Sequence, residues 1–244
     1  MKICLFSSFF KNNLPVYVET YAVEISRHFD LTIFVYACDI GSEEPCFQAN
    51  NIRFLKVINE GLDFGMWLKA YKIIAHMNIN TLCLANDSCI LFQPLDAIIN
   101  SFEKSESSLF GCTSSNQIFI HAQSYFLLLD KKGVEILSSL FLLNGILNSY
   151  DEVVNKYELG LSKAITSNGY KISSFMKIGF NRPLFEPFIL AEIGCPLIKR
   201  FHINIKHKPG WLQQLENLNI NYEPNALVKY CNPIFIDSIQ KELI

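Results

Sequence analysis

Apolar positions along this chain fall into two patterns: short continuous runs that read as buried strands, and i, i+4, i+7 stripes that read as helices. The run 2–6 predicts a first strand that ends at Ser7 and Ser8. Val18, Ala22, Ile25 and Phe29 then mark one face of a helix, with Pro15 in its first turn and Glu19, Glu24 and Arg27 outside the stripe. Two further strands are predicted over 31–36 and 52–58, separated by a polar loop, with Asp39 close behind the first. Trp67, Tyr71 and Ile74 mark a second helix. The apolar run Leu82, Cys83, Leu84, Ala85 predicts a buried strand that stops at Asn86, Asp87 and Ser88. Pro94 then opens a helix with Leu95, Ile98, Ile99 and Phe102 turned inward.

The second half changes character. A strand is predicted over 108–113, and 118–129 reads as one long apolar strand or hairpin arm interrupted by His121, Gln123 and Ser124. Polar residues inside such a run need partners if they are buried. A helix follows over 131–143. Ser149 and Glu152 have the spacing of a capping box, and Val154, Tyr157, Leu161, Ala164 and Ile165 give the stripe of the helix it starts, which Gly169 ends. After a proline-punctuated stretch over 183–196, weak amphipathic helices are expected over 211–218 and 225–230. Strands alternating with helices predict an α/β protein: a mostly parallel, mixed sheet flanked by helices, with a helical C-terminal part.

Composition narrows the function classes. The chain has 244 residues, half of them hydrophobic, which is enough for one large core. A formal net charge of −2 argues against a dedicated nucleic-acid binder, so any phosphate recognition must be local. No apolar run reaches the roughly 18 residues of a membrane span, and the N-terminal MKICLFSSFF reads as a strand rather than a signal peptide. A cytoplasmic protein is therefore expected. Eight cysteines form no Cys-x-x-Cys pair and sit mostly in apolar runs, where cysteine behaves as a small hydrophobe. Neither a P-loop nor a Gly-x-Ser-x-Gly elbow is present.

The candidate chemistry lies where charged residues meet strand ends, because the crevice beyond those ends is where open α/β sheets bind ligands. Asp87, flanked by Asn86 and Ser88, offers hard oxygen ligands suited to Mg²⁺ or Mn²⁺ carrying a phosphorylated substrate; the competing reading is plain turn chemistry. Asn59, Gly61 and Asp63 lie between a strand and a helix, where the backbone can approach a ligand closely. Asp63 reads equally well as an N-cap. Ser7, Ser8 and Asp39 are placed near a nucleotide by strand-end position alone. Glu158, on the flank of an apolar stripe, is the candidate general base, partly desolvated and so raised in pKa, against the reading of a solvated helix glutamate. Lys199, Arg200, Lys206 and Lys208, with His202 and His207, form the basic cluster over 199–208, suited to an anionic ligand or to a solvated strand.

NEGLD before a helix, LANDS before a proline-started helix, HAQSYFLLLD, YELGLS and CPLIKR follow one another in that order over roughly residues 50–210. Together they resemble the rhamnan-synthesis type of bacterial polysaccharide glycosyltransferase. The resemblance implies a single GT-A-like, Rossmann-like domain over 1–244, with a nucleotide-binding half over 1–105 and an acceptor and catalytic half over 106–244. It implies a nucleoside-diphosphate-sugar donor and a glycan or lipid-linked glycan acceptor of a cell-surface polysaccharide or lipopolysaccharide. It further implies peripheral contact with the inner face of the cytoplasmic membrane. Asn-Asp-Ser then stands where GT-A enzymes hold a divalent metal, with Asp87, Ser88 and His202 as ligands. Gln123 and Ser124 would line the floor near the sugars, and Lys199 and Arg200 would neutralise the diphosphate. The alternative is a catalytically silent subunit of the same fold that binds a glycan or a partner transferase.

Overall fold

The computed structural model describes residues 1–47, 49–176, 190 and 193–200. The expectations for His202, Lys206, His207, Lys208 and the helices over 211–218 and 225–230 lie outside these residues. The elements run β1 (Lys2–Phe10), α1 (Val16–Ser26), β2 (Leu31–Cys38), β3 (Ile52–Lys56), α2 (Leu62–Ile74), β4 (Thr81–Asn86), β5 (Cys89–Leu91), α3 (Asp96–Ser105) and β6 (Leu109–Ser115). They continue with β7 (His121–Ala122), β8 (Phe126–Asp130), α4 (Lys131–Asn144), α5 (Tyr150–Val153), a π-helical turn (Val154–Glu158), α6 (Leu159–Ser167), β9 (Ile172–Met176) and β10 (Leu197–Lys199).

Eight strands form one mixed sheet in the order β3-β2-β1-β4-β8-β6-β7, with β9 paired to β6. The first four are parallel, β8 runs antiparallel to β4, and β6 runs antiparallel to β8. Because β1 and β4 are parallel, their carboxyl ends share one edge, with Ser7 opposite Asn86. This is the helix-flanked α/β sheet that the sequence pattern calls for.

Burial on both faces explains the nearly unbroken apolar runs of the central strands. Alternation of side chains sends Cys4 and Phe6 of β1, with Cys83 and Ala85 of β4, into one core against α1 and α3. Ile3 and Leu5, with Leu82 and Leu84, enter a second core against α2, α4 and α6. Trp67, fully buried in that second core, donates its indole N–H to Ala85 O at 3.2 Å, so α2 is pinned one residue before the Asn86–Ser88 turn. Among the described residues no helix is long and apolar enough to cross a membrane.

Four local expectations change. The first strand runs to Phe10, so Ser7 and Ser8 are buried strand residues rather than its end. Segment 118–129 is two strands, β7 and β8, joined by a turn that carries Gln123 and Ser124. Glu24, outside the apolar stripe of α1, is nonetheless buried, and its carboxylate accepts the N–H of Leu95 at 3.0 Å. A helix does begin after Ser149, but the serine side chain makes no capping bond. The π turn that follows shifts the buried stripe to Val153, Tyr157, Leu161 and Ile165.

Candidate functional site

The carboxyl ends of β1 and β4 are built around two aspartates. Ser7 Oγ donates to Asp63 Oδ1 at 2.8 Å, and Asn86 Nδ2 donates to Asp63 Oδ2 at 2.8 Å. Ser8 Oγ donates to Asp87 Oδ2 at 2.7 Å, and the Phe9 N–H reaches the same oxygen at 3.2 Å. The Asn86 side-chain oxygen in turn accepts from Ser88 N at 3.1 Å and Ser88 Oγ at 2.5 Å. Successive serines of one strand point to opposite faces, which is why Ser7 serves Asp63 and Ser8 serves Asp87.

Backbone geometry aims Asp63 into this edge. Gly61 and Leu62 both have positive φ, 73° and 53°, and a Cβ on Gly61 would sit 2.9 Å from Gly65 Cα and from Ile146 Cγ2. Only glycine fits the first position, and the leucine carries a strained backbone of the kind that gathers at ligand sites. Gly61, not Asp63, is the N-cap of α2, and its N–H is engaged by Asn148 Oδ1 at 2.9 Å. Asp63 is thereby freed from capping and turned toward β1 and β4. Asn59 is exposed in the preceding loop, and Asp39 is exposed just past β2, away from any bond to this network.

Burial marks the pair, and the charge of Asp87 adds to it at Asp63. Asp63 is pushed up to about 6, chiefly by desolvation and next by the charge of Asp87. Asp87 is also raised by desolvation, with Ser8, Arg200 and the Phe9 N–H pulling the other way. Positive charge arrives on β10, which pairs antiparallel with β5 so that Lys199 stands opposite Cys89. Arg200 N donates to Ser88 O at 2.9 Å, its guanidinium lies 5.6 Å from the Tyr17 ring centre, and Lys199 Nζ lies 5.3 Å from that of Tyr125. Lys199 and Arg200, the described part of the basic cluster, therefore lie at the Asn-Asp-Ser turn.

Tyr125 joins this half to a second one. Its carbonyl accepts the Asn86 N–H at 3.4 Å, and its hydroxyl lies 2.6 Å from Thr113 Oγ1, which donates to Gln123 Oε1 at 2.7 Å. Gln123 is thus a buried brace of the β7–β8 turn. Ser124, its neighbour, gives both its N–H, at 3.3 Å, and its hydroxyl to Glu158 Oε2. His121 Nε2 stands 4.0 Å from Glu158 Oε1, while its Nδ1 lies 2.8 Å from Phe119 O. A carbonyl only accepts, so Nδ1 carries the hydrogen and Nε2 faces the carboxylate.

Glu158 closes the π turn, and the extra residue in that turn sets its direction. Tyr157 anchors the turn by stacking on Phe64, with ring centres 4.9 Å apart and planes at 6°, and by donating to Gly145 O. Phe64 and Tyr157 are the chain neighbours of Asp63 and Glu158, so one stacked pair fixes both carboxylate-bearing segments. His121 and Tyr125 show in the sequence only as polar breaks in apolar runs. The unfilled hydrogen-bonding demand of those breaks was the one signal for them.

No protein-family model and no curated protein sequence matches the chain. Among the solved structures that align with it are three glycosyltransferases. GlyE of Streptococcus pneumoniae TIGR4 aligns at TM-score 0.44 and 13% identity, over 98% of this chain and 64% of that one. The catalytic domain of Drosophila β1,4-galactosyltransferase 7, in complex with xylobiose, aligns at 0.42 and 8% identity, over 92% of this chain and 84% of that one. A glycosyltransferase involved in glycosylation of the major capsid of PBCV-1 aligns at 0.41 and 12% identity, over 89% of this chain and 100% of that one. This chain spans a little under two thirds of the pneumococcal protein. TM-scores below 0.5 at such identities assign neither a family nor an activity.

Proposed function

We propose that this chain transfers a sugar, with inversion, from a nucleoside-diphosphate donor to a glycan or lipid-linked glycan acceptor. The acceptor class is a cell-surface polysaccharide or lipopolysaccharide, as the ordered motifs from NEGLD to CPLIKR suggest. One observation carries the reading. At the edge shared by β1 and β4, an aspartate pair and two cationic side chains meet, and Tyr125 links them to the segment whose Ser124 holds a separate carboxylate, Glu158.

In this reading Lys199 and Arg200 draw the donor diphosphate to the strand ends, and their seats on Tyr125 and Tyr17 fix their approach. Two carboxylates facing a diphosphate repel it unless a cation stands between them. The donor set fits a divalent ion: Asp87 and Asp63 carboxylates with the Ser88 hydroxyl are hard oxygens, and Asp63, raised by desolvation and then by the charge of Asp87, is a carboxylate that a cation would stabilise. Mg²⁺ or Mn²⁺ held there would neutralise charge on the leaving diphosphate. His202, the further ligand suggested by the sequence, lies outside the described residues.

Proton transfer falls to Glu158. Ser124 occupies Oε2 and leaves Oε1 toward His121, so Oε1 is the atom that takes the acceptor hydroxyl proton as the anomeric carbon opens. Calorimetric titration with UDP, dTDP, GDP and CDP and their sugars, each with and without Mn²⁺, tests the proposal. Metal-enhanced binding of one nucleotide that disappears in Asp87→Asn is expected. Absence of binding across the panel overturns it in favour of a glycan- or partner-binding protein of the same fold.

A further inference from the structure

We infer a second cation site, of a different chemical class, at Glu24, His28 and Asp96 between α1 and α3. It does not rest on the proposed transfer reaction. Glu24 and His28 are four residues apart, which places both on one face at the end of α1, and Asp96 is the first residue of α3. One ligand atom from each of the three lies within 4.8 Å of the other two.

Two of these atoms already have a metal-like separation. His28 Nε2 is 3.4 Å from Glu24 Oε1. A tetrahedral ion with bonds of about 2.0–2.1 Å sets its ligands roughly 3.3–3.4 Å apart, so this edge needs no rearrangement. Bringing in Asp96 needs rotation of one exposed carboxylate.

The surroundings hold the first two ligands in place. Glu24 and His28 side chains are only 10% and 12% exposed. Leu95 N donates to Glu24 Oε1 at 3.0 Å, and Arg27 Nη1 donates to Oε2 at 2.9 Å, which orients the carboxylate and leaves Oε1 toward the imidazole. Arg27 offsets one carboxylate charge; the second, on Asp96, remains for an ion. Exposed Asp96 also gives an entry path from solvent.

Ligand type separates this site from the strand-end crevice. One imidazole nitrogen with two carboxylates suits Zn²⁺ or Co²⁺, whereas the all-oxygen set around Asp87 suits Mg²⁺ or Mn²⁺. Position separates them too. His28 lines a small pocket with Lys2 and Thr81, which begin β1 and β4, while Ser7 and Asn86 stand five residues further along the same strands, roughly 16 Å beyond those strand starts. An ion here would clamp α1 to α3 over the first core, and binding would displace any hydrogen on His28 Nε2 to solvent.

The test is Co²⁺ titration of the full chain followed by visible absorbance, with Zn²⁺-dependent melting as a second readout. The expected result is a saturable absorbance without thiolate-to-cobalt charge transfer, and a melting temperature that rises with Zn²⁺. His28→Gln and Asp96→Asn should each weaken the affinity on the order of 10-fold or more, and Asp87→Asn should leave it unchanged. Asp96 is exposed, so its variant stays informative if His28→Gln folds poorly. Equal affinity in Asp96→Asn, absorbance arising only from cysteine ligation, or no absorbance at all would overturn the site.

Discussion

The two halves of the crevice hold their carboxylates in opposite ways. At the ends of the parallel strands, burial raises the protonation of both Asp63 and Asp87, the charge of Asp87 raises that of Asp63 further, and serine hydroxyls, an amide and a backbone N–H hold them in place. On the antiparallel side, Glu158 stands apart from them, with Ser124 on one oxygen and His121 facing the other. A crowded pair suits the holding of a cation and an anion together, and a carboxylate with one oxygen hydrogen-bonded and the other facing an imidazole suits proton transfer. The parallel half is therefore read as the binding side and the antiparallel half as the reacting side.

The largest effect should come from removing charge on the binding side. Asp87→Asn keeps an acceptor for Ser8 and Phe9, so the fold should hold, yet donor binding should be lost and turnover should fall about 1,000-fold. A variant that transfers normally would put Asp87 outside the reaction. Glu158→Gln should lower turnover about 100-fold while the donor dissociation constant stays put, since this side chain faces Ser124 and His121 rather than the aspartates. A change confined to donor affinity would erase the division between the halves. Smaller still, Arg200→Met should weaken nucleoside-diphosphate binding about 10-fold with little change in the rate at saturating donor, measured by the same calorimetry and by initial rates.

How much of this was legible depended on whether a residue's partner was local. Strands and helices came through because burial on both faces writes itself as apolar runs and stripes; Trp67, Tyr71 and Ile74 are buried as their spacing predicts. Asp87 stood out because it interrupts a strand, and Ser124 and Glu158, picked separately, do meet. Asp63 was ambiguous for a physical reason: an aspartate at a helix start is normally a cap, and only the left-handed pair Gly61 and Leu62 turns it away from that role. The π turn had no local signature either, so the buried stripe is registered on Val153 rather than Val154. Ser8, His121 and Tyr125 owe their roles to partners far away in sequence, such as the bond from Ser8 to Asp87, 79 residues on. No periodicity encodes such a pairing.

The smallest expected effect probes the cost of the crowded half. Asp63 has a folded-state value near 6 against an ordinary 3.8, so the folded protein binds its proton more tightly than the unfolded chain does. For a raised acid the stability contribution is fully present below about pH 4 and is lost as pH climbs through about 6. The cation-free protein should therefore be less stable at pH 8 than the Asp63 environment allows. Asp63→Asn can keep both bonds, its carbonyl accepting from Asn86 and its amide donating to Ser7 Oγ, without the charge. The variant should gain about 1–2 kcal/mol over wild type at pH 8, a rise of several degrees in melting temperature, and nothing at pH 4. Added Mn²⁺ should close the gap by stabilising wild type alone. A gain independent of pH would mean that packing, not charge, sets the difference, and Asp63 would then lose its place beside Asp87 as the half of the site that needs a cation.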